Sequence, residues 1–330
     1  MEISKAVSFF PSAPMLRDAT IRIDPEFSPI QFPWARLTRL VFETAIPPRD
    51  FKNIIFQCKN LVSGSFAVDK CFRSDLSGTF VTSTAVVLSH LSSLKLQFGG
   101  DYGGFTGMER TLHGLALPSI QNFQLSASYK PIGFLSYPMI PALHTTAGIN
   151  TGTGATSLTC LIIENIQFNV DHFAKMLHGC TALEKLALCL AFSSVEDILG
   201  ALLPGDAMDT YLKGGPRPPS LPSLTTFVLV VKDKDSDTLP ERLSALVHAW
   251  ARDPTRFRPL EDITVYYFDS TRGWETKIAA LMFDRLRKLL GPWREGSNRS
   301  LAVAESGMVL RTEVIREWFT LDRKLGWFEV

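Results

Sequence analysis

The chain lacks a surplus of charge of either sign. Thirty-four Lys and Arg stand against thirty-three Asp and Glu over 330 residues, a formal net charge of +1. Without a field of one sign there is little to hold a phosphate backbone, so nucleic acid is not an expected partner. Cysteine is also sparse. Cys58, Cys71, Cys160, Cys180 and Cys189 are odd in number and no Cys-x-x-Cys occurs. That excludes paired spacing of the kind a disulfide framework or a zinc site needs, and it suits a reducing compartment. No apolar run reaches the roughly 18 residues that a membrane-spanning helix requires. The N-terminal apolar stretch is short and broken by Pro11 and Pro14, unlike a signal peptide. These absences lead to the expectation of a cytoplasmic or nuclear protein with no membrane association.

Catalytic and cofactor motifs are missing as well. Gly99-Gly100-Asp101-Tyr102-Gly103-Gly104 does not follow the dinucleotide order of glycines, and Thr151 to Thr156 is not followed by Gly-Lys-Ser/Thr. His90, His113, His144, His172, His178 and His248 form neither His-Glu-x-x-His nor His-x-His, and no Gly-x-Ser-x-Gly occurs. The basic cluster Arg285, Arg287, Lys288, Arg294 and Arg299 is diluted by Asp284 and Glu295 and reads as a solvated face. No cofactor, no metal and no catalytic residue is expected, and the chain is not read as an enzyme.

What the chain does have is a repeat. The pattern apolar-x-x-apolar-x-apolar occurs at Leu37-Leu40-Phe42, Leu91-Leu94-Leu96, Ile120-Phe123-Leu125, Leu158-Leu161-Ile163, Leu183-Leu186-Leu188, Leu224-Phe227-Leu229 and Leu260-Ile263-Val265. Weaker copies begin at Leu16 and Leu61. The last two apolar positions are two apart, so they share one face of a short strand, and the first lies on the turn entering it. A second regularity joins two distant stretches. Phe51, Ile54-Ile55, Cys58 and Leu61 keep the same spacing as Phe173, Met176-Leu177, Cys180 and Leu183. The aromatic and the apolar pair fall on one helix face, and the Cys closes that helix before the next strand.

The repeat unit is therefore strand, loop, helix, then the next strand. Repeated, it predicts an α/β fold, an irregular leucine-rich-repeat solenoid with a parallel concave sheet, convex helices and a C-terminal cap. Strands are expected near 19–23, 39–43, 63–67, 93–97, 122–126, 160–164, 185–189, 226–230 and 262–266. The solenoid occupies 1–270. Residues 271–330, with an amphipathic helix over Trp274 to Leu290 and aromatic Trp318, Phe319, Trp327 and Phe328, form the cap within the same unit. Leading residues fall from 21 to 41 apart, so long intervals carry insertions, read as loops at 99–107, 126–157 and 204–222.

The strand pattern, the Cys-x-x-Leu junction and phrases such as FPWARLTRLVF, HGCTALEKLAL and LPSLTTFVLV resemble the repeat region of F-box/leucine-rich-repeat proteins, especially a divergent fungal set. The resemblance covers about residues 10 to 270. It implies repeats that hold a substrate protein for a ubiquitin ligase, with an F-box helix bundle docking on the ligase core. The F-box signature, Leu-Pro before a Glu-Val/Ile-Leu-like helix, is not found here. A ligase adaptor therefore needs an F-box upstream. The alternatives are a truncated or repeat-only scaffold with no ubiquitin role, and an enzyme with a site in the inserted loops.

The expected protein-binding face is the concave sheet: Lys95, Gln97, Asn122, Gln124, Ile162, Glu164, Lys185, Val228 and Tyr266. Its middle repeats are polar and its later ones apolar, and FVLVV at Phe227 to Val231 reads as a strand buried on both faces. Two readings are open there. An inserted loop covers the apolar part, or a partner does, anchored on Ile162 and Tyr266 with Lys95, Glu164 and Lys185 as rim. The exposure of Ile162, Val228 and Tyr266 separates them.

Overall fold

The computed structural model describes residues 15–22, 32–68, 86–99, 112, 115–127, 132–135, 157–168, 173, 177, 180–189, 195–202, 221–232, 238–251, 257–258, 260–268, 284–285, 288–289, 293–295, 300–303, 309–315 and 325. The chain groups into two compact units. One comprises residues 1–133 with 138–154 and 328–330, the other 134–137 with 155–327.

The first unit contains β1 (Asp18–Ile21), β2 (Arg39–Ile46), helix α1 (Pro48–Gln57), β3 (Ser63–Val68), β4 (Val86–Val87), β5 (Ser93–Phe98), β6 (Leu115–Ala116) and β7 (Asn122–Ala127). Strands β1, β2, β3, β5 and β7 pair in that order, all parallel, while β4 pairs with β6. Register aligns the repeat. Leu40, Gly64, Leu94 and Phe123 stand side by side, as do Phe42, Phe66, Leu96 and Leu125. All of these are buried. Strand β8 (Ile132–Leu135) follows, inside a stretch the sequence reads as loop.

The second unit contains β9 (Cys160–Glu164), β10 (Ile166–Phe168), β11 (Lys185–Cys189), α2 (Val195–Leu202), β12 (Thr226–Lys232), α3 (Leu239–Ala251), β13 (Asp262–Phe268), β14 (Trp293–Glu295), β15 (Ser300–Val303) and β16 (Val309–Ile315). Strands β9, β11, β12, β13 and β16 form a parallel ladder. Antiparallel β15 and β14 extend it beyond β16. Leu161, Leu186, Phe227 and Ile263 share one core row, and Ile163, Leu188, Leu229 and Val265 the next.

All nine expected parallel strands are present, with ends within two residues except that β2 runs three residues further, to Ile46. The extra parallel strand β16 carries no leucine pattern, which is why the sequence did not announce it. Helix α1 holds Phe51 and Ile55 in the core and ends at Cys58, and Phe173, Leu177 and Cys180 are buried in the matching positions. Helix α3 buries Leu239, Leu243, Leu246 and Trp250, one face at helical spacing, and packs on α2. The stretches 99–107 and 204–222 lie outside the described residues except for Gly99, Leu221 and Pro222. Of 274–290, Asp284, Arg285, Lys288 and Leu289 are described and helical, and Trp318, Phe319, Trp327 and Phe328 lie outside.

The backbone repeats more strictly than the sequence. The carbonyl just after seven of the leading residues accepts two N–H groups from the next repeat. Arg17 O takes Thr38 and Arg39, Thr38 O takes Val62 and Ser63, Val62 O takes Ser92 and Ser93, and Ser92 O takes Gln121 and Asn122. In the second unit Thr159, Glu184 and Thr225 do the same for 184–185, 225–226 and 261–262. The leading N–H closes a turn on the residue three earlier: Leu37 on Trp34, Leu61 on Cys58, Leu91 on Leu88, Ile120 on Leu117, Leu183 on Cys180 and Leu224 on Leu221. Each of those turn residues is buried. The Cys-x-x-Leu junction is thus one instance of apolar-x-x-Leu.

Gly64 occupies a core position where neighbouring repeats place Leu or Phe. The Phe66 ring fills the space, in contact with the rings of Phe42 and Phe51 at 5.8 and 5.0 Å between centroids. A Cβ at residue 64 would lie 2.7 Å from Phe66 Cε2 and 3.2 Å from Leu61 Cδ2. Gly64→Ala should therefore destabilise by about 1–3 kcal/mol, by overpacking a ring that cannot swing away. Urea unfolding measures it; a neutral or stabilising result would show that the ring has room.

Candidate protein-recognition face

Strand alternation fixes which residues face away from the core. In the first unit these form rows across the sheet. Asp18, Arg39, Ser63, Ser93 and Asn122 make one, and Thr20, Val41, Ser65, Lys95 and Gln124 the next. Ala67, Gln97 and Ser126 make a third. From β1 to β5 these side chains are exposed or half-buried. At the β1 edge, Arg22 pairs with Glu43, donating from its second guanidinium nitrogen at 2.9 Å. Thr38 Oγ1 donates to Asp18 Oδ1 at 3.3 Å.

The structure separates the expected binding residues into two groups. Lys95, Gln97 and Asn122 are half-buried on this outer face of the first unit. Gln124 shares the face but is 0% exposed, and neither carboxamide atom has a partner. In the second unit Lys185 is exposed, whereas Ile162 (0%), Val228 (1%), Glu164 and Tyr266 are buried. The rows Ile162–Ala187–Val228–Thr264 and Glu164–Cys189–Val230–Tyr266 are closed off entirely.

This corrects the expectation of Ile162, Val228 and Tyr266 as accessible anchors and of Glu164 as rim. Around these positions both faces of the sheet are buried in the chain itself, as FVLVV implied, while the row through Lys185, Thr226 and Asp262 stays open. The accessible part of the expected face is Lys95, Gln97 and Asn122 in the first unit and Lys185 in the second. The sequence singled out none of Arg39, Ser63, Ser65 and Ala67, which share it. Their signal was present, since they are the intervening positions of the second and third repeats.

Local chemistry in the second unit is structural. Asn165 adopts a left-handed backbone, φ 57°, after β9, a conformation Asn tolerates better than most residues. Its N–H donates to Cys189 O at 3.1 Å, and its Oδ1 accepts from Cys189 Sγ at 3.7 Å. Cys58, Cys160, Cys180 and Cys189 are buried and form no disulfide. Burial pushes the Cys58 thiol up to about 12. Burial does the same to Cys160, to about 12, with Lys185 pulling weakly the other way. Exposed His248 lies 3.3 Å from Leu289 O through Nε2. Among the described residues no three His, Cys, Asp or Glu gather as a metal site would, and no helix is long and apolar enough to cross a membrane. No protein-family model and no curated protein matches the chain.

Two outcomes follow. Ile162→Asp places an unpaired carboxylate in a closed core and should cost more than about 4 kcal/mol, or prevent folding. A soluble, normally melting variant would return Ile162 to the surface. For the thiols, raised folded values mean that the native protein keeps protons that the unfolded chain releases above about pH 9. Stability from these groups is full below that pH and falls as pH climbs toward 12. Residue-resolved alkylation at pH 7 and 9 should show Cys58 and Cys160 unreacted in native protein at both. Fast modification of either at pH 9 would contradict their burial.

Proposed function

We propose that the chain is a protein-recognition module, built as an irregular leucine-rich-repeat solenoid whose strands line a concave face and whose helices lie on the convex side. One observation supports this above all. The doubly accepting carbonyl recurs at seven of the nine repeats, from Arg17 to Thr225, and the same turn at six. A chain built by stacking one unit offers a broad sheet face rather than a single pocket, and such faces suit proteins as ligands. The recognition surface is the outer face of β2, β3 and β5, with Arg39, Val41, Lys95 and Gln97, extended to Asn122 on β7.

The resemblance to F-box/leucine-rich-repeat proteins adds a role for the bound protein, as the substrate of a ubiquitin ligase. That role rests on analogy of sequence pattern and requires an F-box upstream of the repeats. Co-purification of the ligase core with the full gene product separates an adaptor from a repeat-only scaffold.

The recognition reading is tested by reversing charge on the proposed face. Arg39→Glu with Lys95→Glu should remove most partners that the native chain retains, an effect of about tenfold or more in affinity. Both side chains are solvent-accessible, so the melting temperature should stay within a few degrees. Proximity labelling and quantitative pull-down with both forms measure this. Identical partner sets would place recognition elsewhere.

A further inference from the structure

We draw no further inference here: the strongest candidate, the fully buried carboxamide of Gln124 on the outer face of β7, which finds no hydrogen-bond partner for either polar atom, carries nothing because nothing in the structure shows what covers it.

Discussion

The carbonyl after a leading residue accepts two N–H groups from the next repeat at seven positions, and the parallel sheets depend on it. A carbonyl has two lone pairs, so one oxygen can hold both amides. Two donors from consecutive residues also fix where the next strand starts. A slip by one residue would exchange its two faces and bring Lys95 and Gln97 into the core in place of Leu94 and Leu96. The turn just before supplies the other half of the constraint. Its first residue must be apolar because it is driven under the strand, whether it is Trp34, Cys58, Leu88 or Leu221. Chain direction, register and core composition are thus set within about seven residues per repeat.

That compactness explains what was legible. The nine strands could be placed because the residues that define them are adjacent in the chain and carry a period of two. The turn residue was recognised in two repeats only, where it is Cys. Elsewhere it is Trp34, Leu88, Leu117 or Leu221, and its regularity is one of burial, not of residue type. Gly64 made its repeat look weak, since the missing side chain is replaced by a ring two residues on. Strand β16 pairs with β13 but has no leucine pattern to reveal it. Gln124 and Glu164 illustrate a different limit. Their polarity argued for exposure, but burial of a sheet's outer face depends on what lies over it, and nothing local encodes that.

The outer faces of the two units differ in consequence. In the second unit Ile162, Ala187 and Val228 continue one closed row, so a ligand there would have to displace core. Removing even one such side chain from its environment costs about 1.5–3 kcal/mol of apolar burial. In the first unit the same positions are Ser65 and Lys95, whose hydration is given up at far smaller loss of packing. Accessibility and composition therefore point to the same strands, β2, β3 and β5, as the part of the sheet able to meet another molecule without unfolding.

Spacing between repeats varies from 21 to 41 residues without disturbing the ladder. Loop-closure entropy explains why. It grows with the logarithm of length, so doubling an interval costs only about 0.6 kcal/mol. A single buried leucine in the following repeat contributes about 1.5–3 kcal/mol. The extra residues fall between the end of one strand and the turn before the next leading residue, where neither the doubly accepting carbonyl nor the core rows are touched. A chain tied this way can lengthen its connections freely while each strand keeps its register, so variation accumulates in the connections and the side chains of the outer face. On that face the physics of the repeat asks for nothing in particular, and the residues at Arg39, Ser63, Ser65 and Lys95 are left to be set by what they contact.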